Sequence, residues 1–227
     1  FSYQVTDNRS ANGDGQVQRG EGVTVYLTVK NVGTGKSFET QANLRNLTGD
    51  GLLLRGGRFE LPSMNPGDVR EVAFSFDVLD GLTDNFAKLE MSMADRDLRV
   101  VSSEKIVIPV TRSGVFINQA TGKVSVEQPA QVRGQPQASA VVVGELAKGS
   151  VLDRLGTFAA FTKVRIDGER FGFVETTALK DGAGAGKPSF KAHLSHSPPL
   201  ITLEPTALSM RGDKVKIEGT ATDGDRV

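Results

Sequence analysis

The residues best suited to chemistry lie in one glycine-rich stretch, Ser10-Ala11-Asn12-Gly13-Asp14-Gly15-Gln16-Val17-Gln18-Arg19-Gly20-Glu21. A twelve-residue calcium loop wants oxygens at positions 1, 3, 5, 7 and 12 and a glycine at 6, because calcium takes hard, charged oxygens in a flexible geometry. Asn12, Asp14, Gly15 and Glu21 fall at positions 3, 5, 6 and 12. Gln16 would offer its backbone carbonyl at position 7, and Val17 after it would dock the loop on a core. Ser10 is a weak first ligand, and Asp7 lies close enough to replace it. The candidate calcium site is therefore Asp7, Asn12, Asp14, Gln16 and Glu21. The same residues suit a second reading equally: a glycine-rich turn whose Asn and Asp cap backbone groups, with Glu21 solvated beside a strand.

Other chemistry is thinner. His193 and His196 are spaced for a metal pair, but there is no third histidine and no cysteine, and both lie in a Pro/Ser/Gly-rich stretch. A solvated loop accounts for them better than a zinc site. Neither a Gly-x-Ser-x-Gly elbow nor a phosphate-binding loop occurs, and no Ser/Lys dyad stands out, so the stretch reads as non-catalytic. Phe158, Phe161, Phe171 and Phe173 cluster in sequence. Phe161 and Phe173 read as core, while Phe158 and Phe171, in or beside turns, are candidates to line a shallow peptide groove.

The elements that must position these residues are strands. Val23, Val25, Leu27 and Val29 alternate with polar neighbours, which is the period of a half-buried strand. A turn at 31–35 follows, and Phe38 to Leu47 reads as the second strand of a hairpin. Asn65-Pro66-Gly67-Asp68 is a strong turn, followed by alternation through Val72, Phe74, Phe76 and Val78. Residues 86–94 read as a strand in this company, although their composition also suits a helix. Ile106, Ile108 and Val110 close the region. Strands at this spacing predict a β-sandwich over 1–112. Shorter, closer strands with turns at Lys148-Gly149 and Asp167-Gly168 predict a small barrel over 113–181, with Val115 and Ile117 in a connecting strand. Residues 182–198 read as a linker, and 199–227 as an incomplete third β-domain.

Charge sets bounds on partners. Lys+Arg and Asp+Glu are 27 each, so nothing draws the chain toward nucleic acid. No stretch is apolar for long enough to span a membrane. The start at Phe1, inside a strand, and the stop just after one suggest a segment of a longer protein.

Two stretches resemble known families. Gly20-Glu21, the corner Lys30-Asn31-Val32-Gly33 and Met64-Asn65-Pro66-Gly67-Asp68 resemble the CARDB-like group of immunoglobulin-type sandwiches from bacterial surface and secreted proteins. Val132-Arg133-Gly134-Gln135-Pro136, Val143-Gly144-Glu145-Leu146, Phe161-Thr162-Lys163-Val164 and Arg170-Phe171-Gly172-Phe173-Val174 resemble a bacterial SH3-like domain. Phe161 and Phe173 stand where that family often has tryptophan, and the Arg-x-Gly-Pro turn is loosened to Arg133-Gly134-Gln135-Pro136. The tail from Pro198-Pro199 through Gly219-Thr220-Ala221-Thr222-Asp223 looks like the opening of a further immunoglobulin-like domain. The module order is similar to the region that follows the PDZ and Ser/Lys catalytic domains in some carboxy-terminal processing serine proteases. These resemblances imply non-catalytic binding or positioning modules, periplasmic or extracellular, whose partner is a protein or a cell-wall peptide. The alternative is a structural spacer or adhesion segment that forms homo-oligomers through its sheet edges.

Overall fold

The computed structural model describes residues 1–9, 11–97, 99–182, 186–194, 200–203 and 219–222. Ser10, His196, Pro198, Pro199, Val215, Ile217 and most of the expected third domain lie outside the described residues.

Alternating apolar residues become paired strands, and the described residues are all-β apart from one turn of 3-10 helix at Thr176–Ala178. Nine strands form the first region: β1 (Ser2–Arg9), β2 (Val17–Gln18), β3 (Gly22–Lys30), β4 (Thr40–Asn46), β5 (Leu52–Leu54), β6 (Arg58–Leu61), β7 (Val69–Val78), β8 (Phe86–Asp95) and β9 (Val100–Thr111). They make two sheets, ordered β1-β3-β7-β5 and β2-β9-β8-β4-β6. Val23, Val25 and Leu27 from one sheet meet Ala42, Leu44, Leu89 and Met91 from the other in a single core. Residues 86–94 are strand, as their neighbours demanded.

One expected pairing is corrected. The strand after the 31–35 turn does not form a hairpin with β3. β3 pairs with β1 and β7, whereas β4 pairs with β6 and β8 in the opposite sheet. The reason lies in Asn31, whose amide donates to the carbonyls of Gly35 and Met64 and whose side-chain oxygen accepts the Gly33 N–H. The Gly67 N–H donates to the Asn31 carbonyl, so the Asn65–Asp68 turn is tied to the same corner. The connection is thereby steered across the end of the layers.

The second region contains β10 (Asn118–Gln119), β11 (Lys123–Val126), β12 (Ala130–Arg133), β13 (Val142–Leu146), β14 (Val151–Phe158), β15 (Phe161–Asp167), β16 (Arg170–Glu175), β17 (Leu179–Asp181) and β18 (Phe190–Ala192). They form one sheet in the order β17-β11-β14-β15-β16-β12-β13-β18, with β10 also on β14. Its core contains Val124, Val132, Leu146, Leu152, Val164, Ile166 and Val174. The segment expected to be a linker contributes β18, which pairs with β13 through Gly144, Glu145 and Leu146. Gly144 permits this, because a Cβ there would overlap the Phe190 ring. The expected connecting strand at Val115 and Ile117 is also displaced: strand structure begins at Asn118, and Ile117 is buried among aromatic rings. A separate pair, β19 (Leu200–Leu203) with β20 (Gly219–Thr222), forms a two-stranded ladder.

Candidate functional site at the junction of the two modules

The loop 11–21 leaves β1 and returns into β3, with β2 laid parallel against β9 at Val110 and Thr111. This placement brings the candidate acids together. Asp7 and Asp14 are fully buried, and Glu21 is nearly so. Their oxygens are turned toward amides. The two Asp7 oxygens accept the N–H groups of Asp14 and Gly15, each at 2.9 Å. The Asp14 carboxylate accepts the N–H of Gln16 at 2.7 Å and, across the chain, that of Val115 at 2.5 Å. Glu21 accepts the Gln18 N–H at 2.8 Å. Asn12 accepts the Asp14 N–H at 2.9 Å, and its amide donates to the Gln18 side chain at 2.8 Å.

Burial pushes the Asp7 carboxyl above its usual range, and repulsion from Asp14 adds to this, while the amide donors pull the other way. Glu21 is raised for the same first reason, desolvation, with Asp7 and Asp14 adding repulsion. Here amide N–H groups, which carry partial positive charge, already converge on the carboxylates. This arrangement fits backbone capping. Gln16 takes part through its N–H rather than its carbonyl. Glu21, expected to be solvated in the capping reading, is buried instead. Among the described residues, no group of three or more His, Asp or Glu side chains is disposed to hold a metal.

The positive charge near these acids comes from the second module. Lys163 on β15 places its ammonium 2.5 Å from the Gly13 carbonyl and 3.8 Å from the centre of the Phe171 ring. Burial lowers its pKa, while Asp7 and Asp14 act in the opposite direction. A second cation lies deeper. Arg170 on β16 is only 2% exposed. Its Nε donates to Gln4 Oε1 at 2.7 Å, and its other arm pairs with Glu71 on β7. The guanidinium also sits over the rings of Tyr26, at 5.2 Å, and Phe190, at 4.8 Å. Gln4 in turn donates to the Phe171 carbonyl at 2.8 Å. Residues from β1, β3, β7, β16 and β18 thus meet at one guanidinium. Desolvation raises the Glu71 carboxyl even though Arg170 opposes the shift.

Arg170 and Lys163 were not singled out from the sequence. The available signal was an arginine opening a run, Phe171-Gly172-Phe173-Val174, with no polar alternation. All of β16 up to Val174 is buried, which means that both of its faces are covered.

The aromatic candidates divide differently from expectation. Phe161 and Phe173 are buried, as expected of core. They do not join the module's main core. With Ile117 and Phe171 they form a second cluster, and Leu155 and Phe158 pack at its margin. Phe171 is 3% exposed, so it is corrected from groove wall to junction residue; Lys163 lies over its ring and Gln4 holds its carbonyl. Phe158 is half-buried. Beside the junction, a cavity of about 520 Å³ opens between β1, β9 and the loop leading into β13, with Val5, Val17, Ile108, Val143 and His193 among its walls. The backbone N–H of His193 donates to the Val143 carbonyl at 3.0 Å, and its ring is exposed.

No protein-family model matches the chain. A search of curated proteins finds no match either. Among the described residues no helix is long and apolar enough to cross a membrane.

Proposed function

We propose that this chain is a non-catalytic binding and positioning unit of a secreted bacterial envelope protein. In this reading an immunoglobulin-type, CARDB-like sandwich spans 1–112, and an SH3-like barrel spans 113–181 and is completed by β18. The observation that carries it is the junction. A buried arginine of the second module is hydrogen-bonded into the sheet of the first. A spacer needs only to separate its neighbours, whereas a positioning unit needs one module held at a set angle to the other. The inter-module cavity supports a binding role, since ligand sites favour such junctions. Module order supports a place beside a carboxy-terminal processing serine protease, with a protein or a cell-wall peptide as partner.

The test is retention of the tagged chain on peptidoglycan sacculi and on cross-linked envelope extract. Saturable retention on either supports the reading, and none on both refutes it. The spacer reading draws on one observation. β2 covers β9 only at Val110 and Thr111, so the rest of β9 is paired by β8 on one side; Val101 and Val107 on it are 71% and 56% exposed, and such an edge can pair with a second copy. Sedimentation velocity decides it: a dimer lost on Val107→Lys favours pairing, and a monomer at all concentrations removes it.

A further inference from the structure

Both sheets of the sandwich end at the cavity beside the junction. β1 is the first strand of one sheet, and in the other, among the described residues, β9 is covered only by the short β2. The cavity of about 520 Å³ is lined by residues 3–5 of β1, 106–109 of β9 and 139–143 of the second module. Successive strand residues point to opposite faces, so consecutive residues in a wall mean that the cavity runs along backbone. Its β9 wall is an unpaired edge. The Val110 N–H donates to the Asn85 carbonyl, on the β8 side. Backbone groups of successive residues in a strand turn to opposite edges, so those of Ile108 also face β8, and the N–H and carbonyl of Val107 face the cavity. Pro109 fits the same parity, since proline belongs where the ladder needs no N–H. β2 shows what this edge takes. Val17 and Gln18 lie parallel to Val110 and Thr111, and Val17 is itself a wall of the cavity. The cavity therefore continues the lane that β2 occupies, along the part of β9 that β2 does not reach.

We propose that this lane is a binding site for an extended, uncharged peptide segment, which adds to β9 as a strand beyond β2 and seats apolar side chains in the cavity. The proposal rests on the binding reading above and adds the ligand class and the mode of recognition. The cavity lies within the range of about 300–1,000 Å³ typical of ligand pockets. Residues 106–109 give about 13 Å of edge, enough for about four residues of strand. Among the described residues that line the cavity none is Asp, Glu, Lys or Arg, so a charged side chain would lose water there and gain no ionic partner. Val107 and Val141, 56% and 76% exposed, stand on different walls and give the lane an apolar lip on each side. Main-chain pairing supplies affinity in strand addition of this kind, and alternate side chains supply the choice of sequence. The acceptor is β9 rather than β1, because Gln4 already ties β1 to the Phe171 carbonyl of β16.

The experiment uses the whole chain and a fluorescein-labelled probe, Gly-Thr-Val-Thr-Val-Thr-Val-Gly. Fluorescence polarisation should show saturable binding, about tenfold or more tighter than for the same peptide with lysine in place of valine. Hydrogen exchange should show the Val107 amide protected when the probe is bound, which docking of side chains alone would not produce. Two variants address the lane from separate walls. Val107→Pro removes the edge N–H without touching the β8 ladder and should weaken binding about tenfold. Val141→Glu places a charge on the exposed lip and should weaken binding by a similar factor; it keeps the test alive if the first variant does not fold. Absence of saturable binding by wild type overturns the proposal. So does binding that leaves the Val107 amide unprotected, binding that both variants leave unchanged, or a dimer in sedimentation velocity that forms through β9 and excludes the probe. Envelope retention that survives such a result leaves the broader reading standing, while probe binding without retention removes that reading and keeps this one.

Discussion

Replacing Arg170 with methionine tests whether one side chain ties the modules together. Methionine keeps the apolar stem and removes the guanidinium. The hydrogen bond from a charged donor to Gln4 is worth about 1.5–3 kcal/mol, and its loss leaves a buried amide oxygen without that partner. The Glu71 pairing contributes less, because that side chain is 39% exposed and can rehydrate; such pairs give about 1 kcal/mol or less. Release of the guanidinium from its desolvated position offsets part of the cost, and a thioether replaces some of the contact with Tyr26 and Phe190. The net expectation is a loss of about 2–3 kcal/mol. Urea unfolding can localise it. The chain has no tryptophan and two tyrosines, Tyr3 and Tyr26, both in the sandwich. Tyrosine fluorescence therefore follows the first module, and far-UV circular dichroism follows both. The two probes should coincide in wild type and separate in Arg170→Met. Arg165→Met is the control, since Arg165 is exposed and its guanidinium donates to the nearby Gly168 carbonyl; it should cost less than about 0.5 kcal/mol. A loss below about 1 kcal/mol for Arg170→Met, with coincident probes, would refute the claim that this residue couples the modules.

Other expectations follow from the same contacts. Asp7, Glu21 and Glu71 sit above their ordinary values near 3.8 and 4.5, so the folded chain holds protons there that the unfolded chain has released. Their contribution is complete below those values and is lost as pH rises through the raised ones. Melting temperature should therefore rise as pH falls from 7 toward 5, and rise less in Glu71→Gln; a steady fall over that interval contradicts the assignment. Phe171→Ala should cost about 3–5 kcal/mol in chemical denaturation and the half-buried Phe158→Ala about 1–2, and equal costs would place Phe171 outside the junction. Gly144→Ala should drive Phe190 off β13, seen as rapid hydrogen exchange of residues 190–192, and unchanged protection would show that the strand does not need the glycine. Millimolar calcium should shift the melting temperature of wild type and Asp14→Ala alike; a calcium-dependent rise in wild type alone would mean that the loop rebuilds itself around the ion.

Strand positions were legible because period-two alternation is a local property. Val23 to Val29 and Val72 to Val78 announce their buried faces without reference to any partner. Partnership is not local. Nothing in Thr40–Asn46 says that it joins β8 rather than β3; that choice depends on Asn31 and Gly67, which bring two turns into one corner. The candidate site shows the same division more sharply. Carboxylates at positions 7, 14 and 21, with Asn12 beside them, suit a cation and suit backbone amides equally, since both are acceptor problems. The choice falls to residues far away in sequence. Val115 brings an amide to Asp14, and Lys163 brings an ammonium to Gly13, from 101 and 150 positions away. Phe171 was misread for the same reason. A phenylalanine beside a turn has a wet face only if nothing else folds over it, and here Lys163 lies over its ring while Gln4, 167 positions away, holds its carbonyl. The acidic loop and the aromatic face, legible separately as two candidate sites, are the two halves of one contact.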